Sequence, residues 1–222
     1  MTEKVVFQCS SRKHENLWTY EGQRIEFVAQ PEQCGGSTGF LYSRPDDLIP
    51  NTNKTWRREL EDYSRRHSGT GDNPDDLLKA WELYKPKEYG LLVSRFGYKN
   101  VFILSAGWGL TRSDFLLPHY DITFSRRAKE AYKKRKKTDT YSDFNHLAKD
   151  IEQSDTIYFF GCNDYLPLYY HLTRDLPGTK IIFHKSEKPP QERGYKYCKY
   201  VTTQSQNWHY PCVRDFIDGK LR

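Results

Sequence analysis

The sequence predicts an α/β domain in which a mostly parallel sheet is covered by helices on both faces. Two short, continuous apolar runs, residues 101–104 and 156–160, are typical of buried parallel strands. Such runs alternate along the chain with segments of helical pattern, as they do in parallel α/β proteins. Because the 222 residues contain no linker or internal repeat and can build one substantial core, we expect a single domain over residues 1–222.

In the first half of the chain, residue type and alternation predict two strands. Residues 4–8 form a β-rich run, and residues 24–29 alternate polar and apolar side chains as a half-exposed strand does. A flexible, glycine-rich loop is expected over residues 33–39. Further along the chain, a charge-rich segment predicts a helix over residues 54–66. A start signal with proline in the first turn predicts a helix over residues 75–84. Another helix is expected over residues 87–96.

In the second half, the strand at residues 101–104 is followed by a basic helix over residues 125–137. A helix over residues 141–153 follows, with Thr140 as its N-cap. The remaining predicted elements are a strand at 156–160, a helix at 165–173, a strand at 180–183, an edge strand from residue 195 and a helix at 211–217.

Small or polar residues follow four of the predicted strands. They are Cys9-Ser10-Ser11, Ser105-Ala106-Gly107, Gly161-Cys162-Asn163 and His184. In open α/β sheets, ligands bind beyond the carboxyl ends of the strands, so parallel neighbours would place these residues in one crevice. Gly107 and Gly109 permit a sharp turn and leave room for a ligand. Trp108, between them, either stacks on that ligand or seals the sheet.

Four polar or ionisable residues follow this turn, namely Asp114, His119, Tyr120 and Asp121. A carboxylate beside a partly closed crevice can orient water or stabilise positive charge in a transition state. The alternative is that these residues cap the basic helix, and for Asp114 a loop-surface role is favoured. Lys13 can hold a phosphate or a developing anion, although surface lysines are commoner. Cys9 has no obvious local base, which favours a buried thiol over a nucleophile.

The positive charge of the chain is concentrated in one segment. Residues 126–137 hold eight basic residues and one acidic residue, a net charge of +7, so the rest of the chain is close to −1 against a total of +6. A concentrated patch indicates a polyanionic partner, although a solvated helix face is the common alternative. Because the basic segment directly follows the polar cluster, we favour a nucleic acid as the polyanionic partner. The expected phosphate contacts are Arg126, Arg127, Lys133, Lys134, Arg135, Lys136 and Lys137.

Cysteine usage and hydropathy indicate a cytoplasmic protein. The five cysteines are odd in number and include no CxxC pair, which predicts reduced thiols, no disulfide framework and no zinc or other metal site. No signal peptide or long apolar run suggests export or a membrane partner. The sequence predicts no particular oligomeric state.

Three stretches resemble YaaA-like proteins and their relatives, which include the base-modifying domain of archaeosine synthase. The stretches are VVFQCSSRK, VFILSAGWGL with LPHYDITFS, and IYFFGCNDY. The resemblance extends discontinuously over about half of the chain. The resemblance implies a fold grouped with uracil-DNA glycosylases. It matches Cys9 and Lys13 to the first motif of the family, and Ser105, Gly109, Tyr120 and Asp121 to the second. The Pro-Tyr that follows the lysine in archaeosine synthase is absent here, which disfavours amino-acid transfer onto a deazaguanine base.

The leading hypothesis is a DNA glycosylase that excises a modified or damaged base, in repair or in defence against phage with modified DNA. The enzyme would flip a nucleotide into a pocket without any cofactor. Asp121 would stabilise the sugar cation or orient water, with Lys13, Asp114 and His119 as further catalytic candidates. The expected pocket consists of Cys9, Ser10, Ser105, Gly107, Trp108, Tyr120, Cys162 and Asn163. The alternatives are a non-catalytic nucleic-acid-binding stress protein of the YaaA type and a nucleobase-modifying transferase or lyase.

Overall fold

The structure is a computed structural model that describes residues 2–16, 18–35 and 39–221. Its strands are β1 (Glu3–Gln8), β2 (Thr19–Tyr20), β3 (Gln23–Val28), β4 (Phe40–Ser43), β5 (Leu78–Lys79), β6 (Val101–Ser105), β7 (Gly109–Arg112), β8 (Leu116–Leu117), β9 (Tyr120–Asp121), β10 (Phe144–Asn145), β11 (Thr156–Phe160), β12 (Thr179–His184) and β13 (Tyr195–Lys199). Its α-helices are α1 (Trp56–His67), α2 (Ala80–Leu83), α3 (Glu88–Phe96), α4 (Leu166–Thr173) and α5 (His209–Ile217).

The central sheet has seven strands in the order β10-β7-β6-β1-β11-β12-β13. The five strands from β6 to β13 run parallel to their neighbours, whereas β7 pairs with β6 in the antiparallel direction and β10 follows β7. The centre of the sheet is apolar, since β6 is buried along its whole length and Val5, Val6 and Phe7 of β1 have no exposed surface. The predicted α/β class with a mostly parallel sheet is therefore confirmed.

Helices cover both faces of this sheet. Successive side chains of a strand point to opposite faces, and two neighbours on β11 show what covers each. Phe159 stacks on Tyr169 of α4 with ring centroids 4.3 Å apart. Phe160 lies 5.1 Å from Phe216 of α5, and α5 packs beside α3.

A smaller sheet packs next to the central one. In it, β3 pairs in parallel with β4 and β9 and antiparallel with β2. The predicted strand over residues 24–29 is β3. Phe27 of this strand lies 5.9 Å from the Trp56 ring and 5.0 Å from the Trp108 ring, so aromatic packing joins the two sheets.

The basic segment is not a helix, so the prediction for residues 125–137 is wrong. These residues form turns, with one short 3₁₀ helix at Ala131–Lys133. Lysines spaced four apart, such as Lys129, Lys133 and Lys137, would repel one another along one helix face. The backbone bonds elsewhere instead, because the Tyr132 carbonyl accepts hydrogen bonds from the amides of Ala29 and Gln30.

Two further predicted helices are replaced by sheet contacts. Within residues 141–153, β10 joins the sheet edge beside Gly109 and Leu110, and a short 3₁₀ helix follows at Leu147–Lys149. Within residues 75–84, β5 pairs with β8 and leaves only the four-residue α2. The predicted strands of the central sheet and the other four helices are present within a few residues of their expected bounds. Residues 36–38 of the predicted loop lie outside the described residues.

We expect acid to destabilise the fold through His146. Its imidazole is largely buried between Phe115 and Phe144, and burial lowers its pKa to about 4. Because the unfolded chain binds this proton below about pH 6.5 and the folded chain does not until about pH 4, stability falls as pH falls between these values. His146→Gln should reduce that loss by about 1.4 kcal/mol per pH unit, measured by urea unfolding between these pH values.

Ile151→Ala is the matched control for this measurement. Ile151 is partly buried and packs against the core, so its truncation lowers stability at every pH without removing a titrating group. If His146→Gln and Ile151→Ala show the same pH dependence as the original chain, His146 does not hold its neutral form in the fold.

Candidate functional site

The turns after β1, β6, β11 and β12 lie along one edge of the central sheet, as predicted. The strand register aligns Phe7 with Phe160 and Gln8 with Leu104. The turns also bond to one another directly. The Cys9 amide donates to the Leu104 carbonyl over 2.9 Å, and the Cys162 amide donates to the side-chain oxygen of Gln8 over 2.6 Å. We call this the strand-end edge.

Ser105 organises the loop that follows β6. Its hydroxyl oxygen accepts hydrogen bonds from the amides of Gly107 and Trp108, at 3.1 and 3.0 Å, and its hydroxyl donates to the Tyr120 hydroxyl over 2.8 Å. Ser105 has no exposed surface. It therefore fixes the loop and ties Tyr120 of β9 to the end of β6.

Two buried arginines bind the carbonyl oxygens of the same loop. Arg57 of α1 donates to the carbonyls of Gly107 and Trp108, at 3.1 and 3.0 Å. Arg135 donates to the Ala106 carbonyl over 2.8 Å. Three successive carbonyl groups thus receive charge-assisted hydrogen bonds, which are stronger than neutral ones.

Each arginine has its own carboxylate partner. Arg57 pairs with Asp46. Arg135 pairs with Asp143 through two hydrogen bonds of 2.9 and 2.6 Å, and both of these side chains are nearly fully buried. The expectation that Arg135 contacts phosphate is therefore wrong, because the side chain is buried and both terminal nitrogens of its guanidinium group are bonded to Asp143 or the Ala106 carbonyl.

Trp108 seals the fold and does not project into the crevice. Its indole is fully buried and packs against Phe27 and Phe144, at 5.0 and 6.4 Å between ring centroids. Of the two roles considered for Trp108, the structure supports the sealing one. The Tyr120 ring is also fully buried, so neither ring presents a face on which a base could stack.

The two glycines flanking Trp108 serve close packing. A Cβ atom on Gly107 would lie 3.1 Å from the Tyr120 ring, so the space left there is filled by Tyr120 and not by a ligand. Gly109 has a φ of +85°, and its Cβ would lie 2.6 Å from the Phe144 carbonyl. Only glycine meets both conditions at position 109.

A network of hydroxyl and thiol groups lies beneath the edge. The Tyr84 and Tyr120 hydroxyls are 2.7 Å apart, and the Cys9 thiol is 3.1 Å from the Tyr165 hydroxyl. Burial raises the pKa of all three tyrosines well above the usual range. They are therefore neutral hydrogen-bonding groups at physiological pH.

Lys13 lies within this network. Its ammonium nitrogen is 4.3 Å from the centre of the Tyr120 ring, which is a cation–π contact. Burial lowers the pKa of Lys13, while the neighbouring Cys9 and Asp121 act in the opposite direction. Only 8 % of Lys13 is exposed, so the surface role considered for it does not hold.

A cluster of charged side chains lies next to Lys13 and nearer to solvent. Asp121 forms an ion pair of 2.7 Å with Lys133, and about a third of its side chain is exposed. The His119 imidazole is 3.9 Å from the Glu26 carboxylate. Burial, followed by the charge of Asp121, raises the pKa of Glu26. Burial, followed by the charge of Lys13, lowers the pKa of His119.

Asp114 is not part of this cluster. Its carboxylate accepts two hydrogen bonds from Arg112, at 2.6 and 3.2 Å. The preceding residue, Ser113, bonds through its amide to the carbonyl of Val101, at the amino end of β6. Because β7 runs back along β6, Asp114 lies at the end of the sheet opposite Asp121. The expected catalytic role of Asp114 is wrong.

The other expected pocket residues differ in exposure. Ser10 is buried, and its hydroxyl oxygen accepts a hydrogen bond from the Arg12 amide. The Cys162 thiol is partly buried, which raises its pKa. Asn163 is exposed, and its amide group donates to the Ser186 hydroxyl over 3.3 Å.

A cavity of about 280 Å³ opens beside the strand-end edge, and we call it the edge cavity. The residues lining it include Phe124, Lys136, Lys137, Tyr141, Asp164 and His171. Phe124 lies 5.4 Å from the Tyr165 ring, and Arg135, which also lines the cavity, binds the loop after β6. Phe124 and Arg135 thus link the edge cavity to the buried network through side-chain contacts.

Of the basic residues expected to contact nucleic acid, Arg126, Arg127, Lys136 and Lys137 are exposed. Lys134 is half-buried, and Lys133 is engaged by Asp121. No local pattern points to Arg57, Glu26 or Tyr84, because each reaches the edge from a distant part of the chain. Tyr165 ends the stretch IYFFGCNDY and could have been included.

Comparison with protein-family models, with curated proteins and with solved structures finds no match. The relation to YaaA-like proteins and the uracil-DNA-glycosylase-like fold therefore stay predictions. Among residues 2–16, 18–35 and 39–221, no group of three or more His, Cys, Asp or Glu side chains is placed to hold a metal ion. Within the same ranges, every helix is too short or too polar to traverse a bilayer.

We expect Arg135→Ala to destabilise the fold strongly, because it leaves the Asp143 carboxylate buried without its partner. The expected loss is about 3–5 kcal/mol in the free energy of unfolding, measured by chemical denaturation. Lys136→Ala is the matched control, since this neighbour is exposed, and its effect should be near zero. Equal effects of the two variants would contradict the buried pairing.

Proposed function

We propose that the protein acts on DNA and hydrolyses the N-glycosidic bond of a modified or damaged base at the strand-end edge. The observation that carries this proposal is the position of Asp121. Its carboxylate is partly exposed, pairs with the ammonium of Lys133 at 2.7 Å and interacts electrostatically with the buried Lys13. A carboxylate that remains open to solvent, beside a buried network of donors, is a candidate catalytic group.

In this proposal, Asp121 acts on the sugar. As the C1′–N bond breaks, its electron pair leaves with the base and positive charge develops on the sugar ring. The Asp121 carboxylate stabilises that charge, orients a water for attack at C1′ and accepts a proton from it. The positive charge of Lys13 favours the anionic form of the departing base. His119, whose lowered pKa favours its neutral form, lies within the same cluster.

The edge cavity is the proposed site of the extruded base. Trp108 and Tyr120 are buried and cannot stack on it, whereas the rings of Phe124 and Tyr141 line the edge cavity. Aromatic rings bind bases of any sequence through stacking. The carboxylate of Asp164, in the turn after β11, can accept hydrogen bonds from the polar rim of a base.

The exposed part of the basic segment is the proposed phosphate-binding surface. Arg126, Arg127, Lys136 and Lys137 are exposed, and two of them line the edge cavity. Cations in this position would hold the DNA backbone while a base occupies the cavity. Phosphate contacts of this kind position a substrate without reading its sequence.

A second candidate function is nucleic-acid binding without chemistry. The observation that favours it is the burial of Cys9, Ser10, Ser105 and Lys13, each with less than a tenth of its surface exposed. In that case the network beneath the edge stabilises the fold only, and the exposed cations act alone. A base-modifying transferase has no comparable observation in its favour.

We expect Asp121→Asn to abolish base excision while DNA binding persists. The amide keeps the size of the side chain but loses its charge, so the cleavage rate should fall by about a hundredfold or more. The measurement is the number of alkali-labile sites formed in DNAs that carry modified bases, including phage DNAs with hypermodified bases.

Asp114→Asn is the matched control, because it makes the same chemical change at the opposite end of the sheet. It should leave excision unchanged. If no DNA acquires alkali-labile sites although the protein binds it tightly, the second candidate function is correct.

We expect the variant Lys136→Gln with Lys137→Gln to bind DNA more weakly and with a smaller dependence on salt. Each phosphate contact contributes about 0.9 to the slope of log affinity against log salt concentration, so the slope should fall by about 2. Lys99→Gln with Lys149→Gln removes two exposed lysines at the opposite end of the sheet. Equal losses in the two double variants would show that overall charge, and not this surface, determines binding.

A further inference from the structure

A second cavity, of about 410 Å³, lies between α1, the residues around β2 and the segment before β5. We call it the aromatic cavity, because four large rings line it, those of Trp18, Tyr20, Trp56 and Tyr63. Among its described lining residues, none belongs to the strand-end edge. Its volume lies within the range of cavities that bind small molecules.

The rings of the aromatic cavity meet edge to face. Tyr20 and Trp56 are 5.4 Å apart at 88°, and Trp18 and Trp56 are 5.8 Å apart at 68°. Trp18, Trp56 and Tyr63 expose 5 % or less of their surface, whereas Tyr20 is only partly buried, so Tyr20 offers the most accessible ring. Ring faces carry partial negative charge and attract cations.

The charged side chains around the aromatic cavity are paired, with one exception. Lys54 binds Glu59 and Asp62, at 2.5 and 2.7 Å, and Arg66 binds Glu59 at 3.0 Å. Within the described part of the chain, no cationic side chain lies within ion-pair distance of the Asp75 carboxylate. Asp75 accepts a hydrogen bond from the Trp18 side chain, and burial raises its pKa.

Trp56 provides a second group without a partner. The indole N–H of Trp56 is buried and has no hydrogen-bond acceptor among the described residues, and only 2 % of the residue is exposed. A buried donor without an acceptor costs free energy. A guest with an acceptor on its rim would remove that cost if it reached this group.

We infer that the aromatic cavity binds a flat heteroaromatic cation, such as a purine base alkylated on a ring nitrogen. The ring of this ligand packs against the aromatic side chains, and its positive charge lies near Asp75. A neutral base would leave Asp75 without a cation. A compact ammonium ion would offer no acceptor to Trp56. The inference concerns a site apart from Asp121 and does not depend on the proposed excision.

The experiment is a calorimetric titration of the full chain with 7-methylguanosine and, separately, guanosine. The two probes differ by one methyl group and by the positive charge of the methylated ring. We expect 7-methylguanosine to bind about tenfold more tightly, as a desolvated cation–π contact provides. Nitrogen NMR spectra should show shifts of the Trp18 and Trp56 indole N–H signals on binding and none for Trp208. Equal binding of both probes, or binding of neither, would overturn the inference.

Asp75→Asn removes the charge while it keeps an acceptor for the Trp18 indole. It should weaken binding of 7-methylguanosine about tenfold and leave guanosine unaffected. Asp72→Asn is the matched control, because this carboxylate is three-quarters exposed and pairs with His67. If Asp72→Asn weakens binding as much as Asp75→Asn does, the inference is wrong.

Tyr20→Leu keeps the test decisive if the aspartate variant does not fold. Tyr20 is only partly buried, so its replacement leaves the core intact. Loss of its ring should weaken binding of 7-methylguanosine severalfold. Unchanged affinity in this variant would show that the probe binds elsewhere.

Discussion

Two buried guanidinium groups hold the loop after β6, and the geometry of the strand-end edge depends on them. Arg57 and Arg135 bind three successive carbonyl groups, and each is neutralised by its own aspartate. Burying a charge is costly unless the charge is paired and hydrogen-bonded, and the aspartates and loop carbonyls provide these contacts for both arginines. With the loop fixed, the Ser105 hydroxyl can donate to Tyr120. The Tyr120 ring in turn contacts the ammonium of Lys13. Asp121 follows Tyr120 in β9, so its position is set by the same strand. The candidate site thus consists of elements that are distant in the chain.

The sequence predicted five of the seven strands of the central sheet, and four of these five, β1, β6, β11 and β12, are short β-rich or apolar runs with a local signature. It did not predict β7 or β10. It failed where distant contacts decide the structure. The basic segment lacks helix because its backbone bonds to residues 29 and 30. Asp114 and Asp121 are close in sequence but lie at opposite ends of the sheet, because β7 carries the chain back along β6 to Asp114 before the chain returns through β8 to β9. The role of Trp108 depends on Phe27 and Phe144, which no local pattern connects to it.

The packing of loops on the strand ends explains why only some of the expected pocket residues are accessible to a ligand. Residues that end central strands are also the residues on which the loops pack, so Cys9, Ser10, Ser105 and Gly107 are buried structural positions. The groups left near solvent come from β9 and the basic segment. Open space beside the edge is found where Phe124 and Tyr141 meet the basic segment. Chemistry at this edge would therefore be carried by Asp121 and its neighbours and not by the strand-end residues themselves.

The most direct test of the proposed function is whether a free base leaves the DNA. Phage DNA with hypermodified bases would be incubated with the purified protein, and the small molecules released would be identified by mass spectrometry. The account predicts that an intact modified base appears in solution while the sugar–phosphate backbone stays continuous. It would be contradicted if the protein occupied all of the DNA and no base, nucleoside or nucleotide were released.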